Sequence, residues 1–261
     1  MVNDHKPISV FIGYDPADDL AFRVARQSLL DMTPPGAVKI VPLINHALRR
    51  AGMYWRAFFC DTKGQRYDAI DNQDTEGRLE IPFSTDFSFT RFLVPALMGY
   101  ADEWALFVDA DVMFRANPLA IIDTFEPGKA VYCVPHDHDP VEMHKQVGVQ
   151  LEQTRYHRKN WSSVVYWNPS MNTSLSKTTV NSARGSYLHA FQWLLDQEIG
   201  FLPPSYNHLI GWNEENPDAV IAHFTSGTPD QVGMQEQEFG NEWRHIATGL
   251  LPQTIMFRGL A

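Results

Sequence analysis

Cysteine, long apolar runs and basic residues are all scarce in this sequence. Cys60 and Cys133 are its two cysteines, too few for a disulfide framework, and neither belongs to a paired Cys-X-X-Cys metal motif. No apolar run approaches the roughly 20 residues that a membrane helix needs, and the first residues lack the basic and apolar segments of a secretory signal. We therefore expect a cytoplasmic protein without a transmembrane segment.

The shortage of positive charge argues against nucleic acid as a partner. Lysine and arginine together number 21 against 31 acidic residues, which gives a formal net charge of -10. The long-range field of such a protein repels a nucleic-acid backbone, although local contacts with a phosphate remain open. We therefore expect no nucleic-acid partner.

Three common catalytic signatures are also missing. The sequence contains no P-loop of the form Gly-X-X-X-X-Gly-Lys-Ser/Thr, no Gly-X-Gly-X-X-Gly after the first predicted strand and no Gly-X-Ser-X-Gly elbow. These absences argue against P-loop nucleotide hydrolysis, dinucleotide oxidoreduction and serine hydrolysis.

The composition is that of an ordinary globular protein, and the apolar patterns of the sequence predict strands and helices that alternate. The chain is 44% hydrophobic and 20% charged, proportions typical of a folded domain. Its apolar patterns predict strands over residues 8–12, 38–42, 104–108, 130–134, 162–167 and 220–224, and helices from about 19 and over 45–51, 86–98, 118–125, 186–196 and 242–251. Residues 53–82 are expected to be irregular, with room for hairpin strands. The alternation favours an α/β fold with a mainly parallel central sheet and helices on both faces.

Two carboxylates at the end of the predicted strand 104–108 form the most informative motif. Asp109 and Asp111 lie two positions apart, directly after an apolar run. Ligands of open α/β sheets bind beyond the carboxyl ends of the strands, where paired acids can hold a hard divalent cation against a diphosphate. An ordinary strand-end turn is the alternative interpretation, because aspartate is a common turn former.

His223 ends the last predicted strand and can therefore reach the same crevice. Two carboxylates and one imidazole leave positions open on an octahedral ion for diphosphate oxygens, and this mixed set of donors suits Mn²⁺ better than Mg²⁺. A structural histidine is the alternative. We predict a Mn²⁺ site, or a Mg²⁺ site, held by Asp109, Asp111 and His223.

These motifs, in their order along the chain, make the sequence resemble the metal-dependent glycosyltransferases of the GT-A fold. The resemblance is greatest to family 8, the group that includes glycogenin and bacterial lipopolysaccharide galactosyltransferases. It rests on residues 13–15, 88–92, 106–111, 161–168, 202–207 and 222–227. The resemblance implies a single GT-A-like catalytic domain over residues 1–261, with a nucleotide-binding part over about 1–115 and an acceptor-facing and sugar-facing part over about 116–261.

The resemblance also implies roles for several donor-binding residues. Tyr14 and Asp15 correspond to the nucleoside pocket, where the tyrosine stacks and the carboxylate accepts a hydrogen bond from uracil or ribose. Arg91 and Gly227 correspond to donor-binding positions, and Asp109 corresponds to a contact with the ribose as well as the metal. The alternatives are a simple turn before a proline for the first pair and a surface ion pair for the arginine.

The sequence departs from family 8 in three places. Residues 161–163 read Trp-Ser-Ser where Asn-Ala-Gly or Asn-Ser-Gly is usual, and residues 188–191 lack the usual acidic Asp-Gln-Asp cluster. Residues 228–230 read Thr-Pro-Asp in place of Lys-Pro-Trp, so the lysine that would contact the diphosphate is absent. The chain therefore resembles a divergent branch of the family.

A second group of metal-type ligands lies at residues 136–139, which read His-Asp-His-Asp. Alternate residues of an extended segment face opposite ways, so the four do not bind one ion without a tight turn, and a metal-dependent hydrolase is a minor alternative. We instead name Asp137 and His138, together with His189, as catalytic candidates close to the transferred sugar or its acceptor.

The predicted activity follows from the metal site and the resemblance taken together. We expect a hexosyltransferase that moves a sugar from a nucleoside-diphosphate sugar, a UDP-sugar, to a hydroxyl of a glycan or related acceptor, and family 8 membership implies retention of configuration. Two alternatives stay open: a sugar-1-phosphate nucleotidyltransferase, and a non-catalytic protein that binds a nucleotide sugar or a glycan.

Overall fold

Strands and helices alternate along the chain as expected. The computed structural model describes residues 6–73, 82–136, 144–147, 149–152 and 161–250. Over these ranges no helix combines the length and the apolar character that crossing a bilayer requires.

The elements of the described residues have the following bounds. The strands are β1 (Ile8–Tyr14), β2 (Val38–Ile44), β3 (Phe58–Cys60), β4 (Arg66–Asp68), β5 (Pro82–Phe83), β6 (Ala105–Val108), β7 (Val112–Phe114), β8 (Val131–Cys133), β9 (His144–Val147), β10 (Val149–Glu152), β11 (Val164–Trp167), β12 (Ile199–Phe201), β13 (His208–Leu209) and β14 (Ile221–His223). The α-helices are α1 (Asp19–Met32), α2 (Asn45–Arg50), α3 (Val94–Leu97), α4 (Lys177–Ser182), α5 (Gly185–His189) and α6 (Gly240–Leu250). Short 3-10 helices cover Pro16–Asp18, Thr90–Leu93, Pro118–Thr124, Trp161–Ser163, Pro169–Met171, Asp196–Glu198 and Pro204–Asn207.

The largest sheet has six strands in the order β12-β8-β11-β6-β1-β2. Strand β11 runs antiparallel to both of its neighbours, and the other pairs are parallel. The predicted mainly parallel sheet is therefore confirmed. Because β11 runs the opposite way, its first residues lie at the edge where β1 and β6 end, so one edge of the sheet receives several loops that carry polar residues.

Both faces of this sheet are covered, as the alternation of elements predicted. The four residues of β6 are all fully buried, and alternate ones belong to different apolar clusters. Ala105 and Phe107 face the cluster that includes α4 and α5, whereas the next residues face the cluster that includes α1. A strand buried on both faces reads as a continuous apolar run, which is why β6 was visible in the sequence.

A second sheet of three strands, in the order β13-β14-β7, extends the structure beyond β6. Strand β7 pairs antiparallel with β14, with Val112 opposite His223, and β14 pairs parallel with β13. Helix α6 closes this part with Trp243, which is buried in a cluster with Met113 and Phe224. The last predicted strand thus belongs to this second sheet and lies outside the central one.

A third small sheet, β3-β4-β5, occupies the stretch expected to be irregular with room for hairpins. Arg56, only 1% exposed, fixes it to the rest of the structure. The guanidinium makes two hydrogen bonds to Asp68, of 2.9 and 2.7 Å, and donates to the Val180 carbonyl at 2.9 Å. It also lies 4.1 Å from the centre of the Phe89 ring. One buried cation therefore joins this small sheet to helix α4.

Three predicted helices differ from those in the structure. The helix expected over 86–98 is a 3-10 turn followed by α3, and the chain leaves it through Gly99 and Tyr100, both with positive φ. The helix expected over 186–196 is α5 alone, because Phe191 adopts a φ of 51° that ends the helical path. The segment expected over 118–125 is a 3-10 helix. Apolar spacing alone did not separate these short turns from regular α-helix.

Candidate functional site

Two carboxylates lie at the edge of the large sheet where β6 ends. Asp109 follows β6 directly, and its backbone amide donates to the Ser163 carbonyl at 3.0 Å, which ties it to the start of β11. Asp111 immediately precedes β7, where the chain passes from the large sheet into the second one. Their side chains are 14% and 20% exposed, so both keep access to solvent.

The imidazole of His223 reaches this pair through the second sheet. His223 is the last residue of β14, and the next amide, that of Phe224, donates to the Asp111 carbonyl at 2.9 Å. Its Nε2 atom lies 3.2 Å from Asp111 Oδ1, and the ring is 3% exposed. One ligand atom from each of Asp109, Asp111 and His223 lies within 4.8 Å of the others. The structure thus brings together the three side chains that the sequence nominated.

The chemistry and spacing of this trio fit a divalent cation. Carboxylate oxygens and an imidazole nitrogen are donors that Mn²⁺ and related ions accept. For bond lengths of about 2.1 Å, neighbouring ligands of an octahedral ion lie about 3 Å apart, close to the distance from His223 Nε2 to Asp111 Oδ1. Three protein ligands leave room for further oxygens on such an ion.

Arg91, predicted to bind the donor, is engaged with protein groups. Its Nη1 lies 2.9 Å from Asp109 Oδ1 and donates to the Ser162 carbonyl at 2.9 Å. The guanidinium carbon lies 5.5 Å from the centre of the Phe87 ring and 5.1 Å from that of Phe107. A partly buried guanidinium held in this way fixes the orientation of the carboxylate that it pairs with. Arg91 therefore positions Asp109.

Tyr14 and Asp15, predicted to form the nucleoside pocket, lie where β1 ends. The Tyr14 hydroxyl donates to an Asp19 carboxylate oxygen at 3.2 Å, and its ring meets Phe22 edge-on with centroids 5.2 Å apart. Asp15 is 6% exposed and caps the following 3-10 helix by accepting from the Ala17 amide at 3.0 Å. These contacts make the pair part of a structured turn.

The second carboxylate oxygen of Asp15 also has partners within the protein. It accepts from the Asp86 amide at 3.0 Å and from Arg66 Nη2 at 3.1 Å. These bonds join the end of β1 to the segment before residue 90 and to β4. The carboxylate thus holds the loops at this edge together.

His189, one of the catalytic candidates, ends helix α5 beside the same edge. Its Nδ1 lies 2.8 Å from Ser162 Oγ, and its ring packs against those of Phe89 and Phe92, with centroids 6.0 and 5.0 Å away. Burial, with the nearby positive charge of Arg91, lowers the pKa of this imidazole well below its usual value. The ring is therefore neutral at physiological pH.

The remaining candidates fall on less informative positions. Asp137 and His138 lie outside the described residues. Gly227 follows β14 with a φ of 139°, which L side chains rarely adopt, and its amide donates to the Phe224 carbonyl at 2.9 Å. Its own carbonyl accepts from Gln237 Nε2 at 2.9 Å. The glycine thus shapes the loop that follows His223.

Sequence reasoning missed the polar residues that hold the three candidate metal-binding side chains in place. Asn207 is fully buried and its side chain lies 2.9 Å from His223 Nδ1. Ser162 and Ser163 contact Arg91, His189 and the asparagine. All three lie in segments that the resemblance had already marked, but residue type and spacing alone did not separate supporting residues from ligands.

Solved structures similar to this one are glycosyltransferases. The bifunctional glycosyltransferase WbbM aligns with a TM-score of 0.57 and 12% identity over 95% of this chain, which spans 50% of that longer chain. The galactosyltransferase LgtC, solved with donor and acceptor sugar analogues, aligns with a TM-score of 0.57 and 13% identity over 95% of this chain and 99% of its own. GlyE of Streptococcus pneumoniae aligns with a TM-score of 0.54 and 14% identity over 96% of this chain and 63% of its own. The protein therefore has a GT-A-like fold.

Sequence comparison identifies the family. No family model matches the chain. Protein CDI of Arabidopsis thaliana is 38% identical over 248 residues, which cover 92% of this chain and 86% of that protein. The chain belongs to the same family as Protein CDI.

Proposed function

We propose that the protein is a metal-dependent glycosyltransferase that moves a sugar, a hexose, from a UDP-sugar to a hydroxyl of a glycan or related acceptor. The observation that carries this proposal is the meeting of Asp109, Asp111 and His223 at the carboxyl-end edge of the sheet. The GT-A-like fold supports it, since the similar solved structures are glycosyltransferases. The proposal includes retention of configuration, kinship with family 8, and a single catalytic domain whose nucleotide-binding part covers about residues 1–115.

The three ligands suit Mn²⁺, which when bound neutralises charge on the departing diphosphate as a Lewis acid. The protein also sets the net charge of this site. Arg91 already opposes the charge of Asp109, so a site that holds a divalent cation keeps a net positive charge. That local charge favours a diphosphate, even though the whole chain carries a formal charge of -10 and lacks the lysine that is usual in family 8.

Other residues are assigned to the donor and the sugar. We infer that Tyr14 stacks on the nucleobase, while Asp15 holds the loop that presents it. Gly227 keeps the backbone after the imidazole ligand close to the diphosphate. His189, neutral because burial lowers its pKa, accepts a hydrogen bond near the sugar. Asp137 and His138 remain candidates for the acceptor side.

The first experiment measures ligand-dependent thermal stability. Wild-type protein is melted with UDP, other nucleoside diphosphates and UDP-sugars, each with and without Mn²⁺. We expect a rise in melting temperature with UDP that requires Mn²⁺, because a ligand at 100 times its Kd stabilises the native state by about 2.7 kcal/mol. Asp111→Asn should lose this rise, whereas Asp123→Asn, at an exposed position away from the trio, should keep it.

A second measurement separates transfer from binding. Release of UDP from UDP-sugars, with and without glycan acceptors, is followed for the same proteins. Turnover that requires Mn²⁺ and Asp111 supports the proposal. Pyrophosphate release from a nucleoside triphosphate and a sugar phosphate would instead establish a nucleotidyltransferase, and binding without any turnover would establish a non-catalytic binding protein.

A further inference from the structure

Asn207 connects the imidazole of the candidate metal site to two other segments of the sheet edge. It ends the 3-10 helix before β13 and is fully buried. Its Oδ1 lies 2.9 Å from His223 Nδ1, and its Nδ2 donates to Ser163 Oγ at 3.0 Å and contacts His136 Nε2 at 2.9 Å. One amide group therefore contacts the segment after β8, the residue directly before β11 and the last residue of β14.

The two contacts of Asn207 Nδ2 determine which atom donates the hydrogen in the contact between Asn207 Oδ1 and His223. Nδ2 carries two hydrogens, and Ser163 Oγ and His136 Nε2 are positioned to accept them. The amide oxygen then faces His223 and accepts a hydrogen from Nδ1. His223 is thereby held with a proton on Nδ1, and Nε2 points toward Asp111.

The contact between His223 and Asp111 concerns the other ring nitrogen. Nε2 lies 3.2 Å from Asp111 Oδ1, so without a metal Nε2 can carry a hydrogen that it donates to this carboxylate, and a cation that binds here would take the place of that hydrogen. The nitrogen that binds a metal must be unprotonated, so the hydrogen bond made by the other ring nitrogen determines which one is available. The hydrogen-bonding pattern around Asn207 is the one that a metal bound to Nε2 requires.

We propose that Asn207 is a positioning residue that fixes the tautomer and the ring orientation of His223, so that Nε2 is the ligand atom. Ser163 and His136 hold the amide of Asn207 in the required direction. The assignment rests on the proposed metal-binding role of the site. It gives a role to the contacts that both polar atoms of the buried Asn207 side chain make at this edge of the sheet.

The test measures Mn²⁺ affinity by calorimetry on the full chain, without nucleotide. Asn207→Leu preserves the volume and removes both the acceptor and the donors, and we expect affinity to fall about 10- to 100-fold. Asn207→Asp keeps an acceptor for the Nδ1 hydrogen, and we expect it to recover most of the affinity. A residue needed only for packing would not be rescued in this way, because aspartate loses the same donor contacts as leucine.

The second readout is the histidine tautomer in metal-free protein. Long-range ¹H–¹⁵N spectra at mildly alkaline pH separate Nδ1-protonated from Nε2-protonated rings, and His223→Gln assigns the signal. We expect wild type and Asn207→Asp to carry a proton on Nδ1, both in rings that also carry one on Nε2 and in rings that do not. Because this spectrum is taken on wild type, the assignment can be refuted even where the leucine variant does not fold.

The outcomes separate this assignment from the proposed function. Absence of Mn²⁺ binding by wild type overturns the metal role and the assignment with it. Mn²⁺ binding by wild type and Asn207→Leu with equal affinity, or a His223 ring in wild type that has no proton on Nδ1, overturns the assignment alone. Weakened binding in the leucine variant, rescue by aspartate and Nδ1 protonation together establish it.

Discussion

The largely enclosed imidazole of His189 leads to a quantitative prediction about how the stability of the protein depends on pH. In the folded protein it remains neutral because burial and the positive charges of Arg91 and Arg56 lower its pKa well below the usual value. In the unfolded chain it takes up a proton as the pH falls below about 6.5. The unfolded state then binds more protons than the folded state, so the contribution of His189 to stability is present above about pH 6.5 and is lost as the pH falls.

The size of this loss follows from the same linkage. If the folded imidazole stays neutral, lowering the pH from about 7.5 to about 5.5 reduces the free energy of unfolding by about 1.4 kcal/mol through this one group. His189→Asn removes the titration and keeps a polar partner for Ser162 Oγ. We expect its free energy of unfolding to depend less on pH than that of wild type by about this amount.

Urea unfolding at the two pH values, in the presence of a chelator, measures the difference directly. Comparing wild type with the variant cancels the contributions of the other histidines and the carboxylates. His245→Asn, at an exposed position on α6, is the matched control and should retain the pH dependence of wild type. Identical pH dependence in wild type and His189→Asn would refute the reasoning and would mean that the ring is protonated in the folded protein.

Two further substitutions test the scaffold around the site. Arg56→Met leaves Asp68 buried without its cation, so we expect the free energy of unfolding, measured in urea, to fall by about 3–5 kcal/mol. The exposed control Arg26→Met should change it little. A fall no larger than that of the control would contradict the role given to the pair. Gly227→Ala places a side chain at a φ of 139° and against Gln231 Oε1, so we expect the free energy of unfolding to fall by about 1–3 kcal/mol. Gly249→Ala, with open space around it, should be neutral or stabilising. Equal stability of the two variants would show that the loop is not constrained.

The sequence predicted those features whose signal is local. The apolar run of β6 and the two carboxylates after it lie within a few residues of one another, and the start of the chain reads directly as β1 followed by α1. Periodicity is a property of consecutive residues, so it identified five of the six strands of the central sheet and the mainly parallel arrangement of that sheet. It was least accurate for short helical turns, where Phe191 or Tyr100 adopts a positive φ that no apolar pattern encodes.

The parts that were not predicted depend on contacts between distant segments. Nothing near His223 indicates that β14 pairs with β7 in a second sheet, because that pairing is made with residues more than a hundred positions earlier. The partners of Arg91 were likewise hidden, since Asp109 and the Ser162 carbonyl come from separate loops. Asn207 was invisible for the same reason: an asparagine after a tyrosine has many possible environments, and only the fold selects among them.

Because β7 pairs antiparallel with β14, Asp109, Asp111 and His223 come together only when folding is complete. The acidic pair and the imidazole come from stretches that meet only when a late part of the chain docks against an earlier one. A cation that requires all three ligands therefore distinguishes the finished structure from any partly assembled state that has the carboxylates alone. Its binding would fasten the two stretches to each other, with a strength that grows with the logarithm of the free ion concentration.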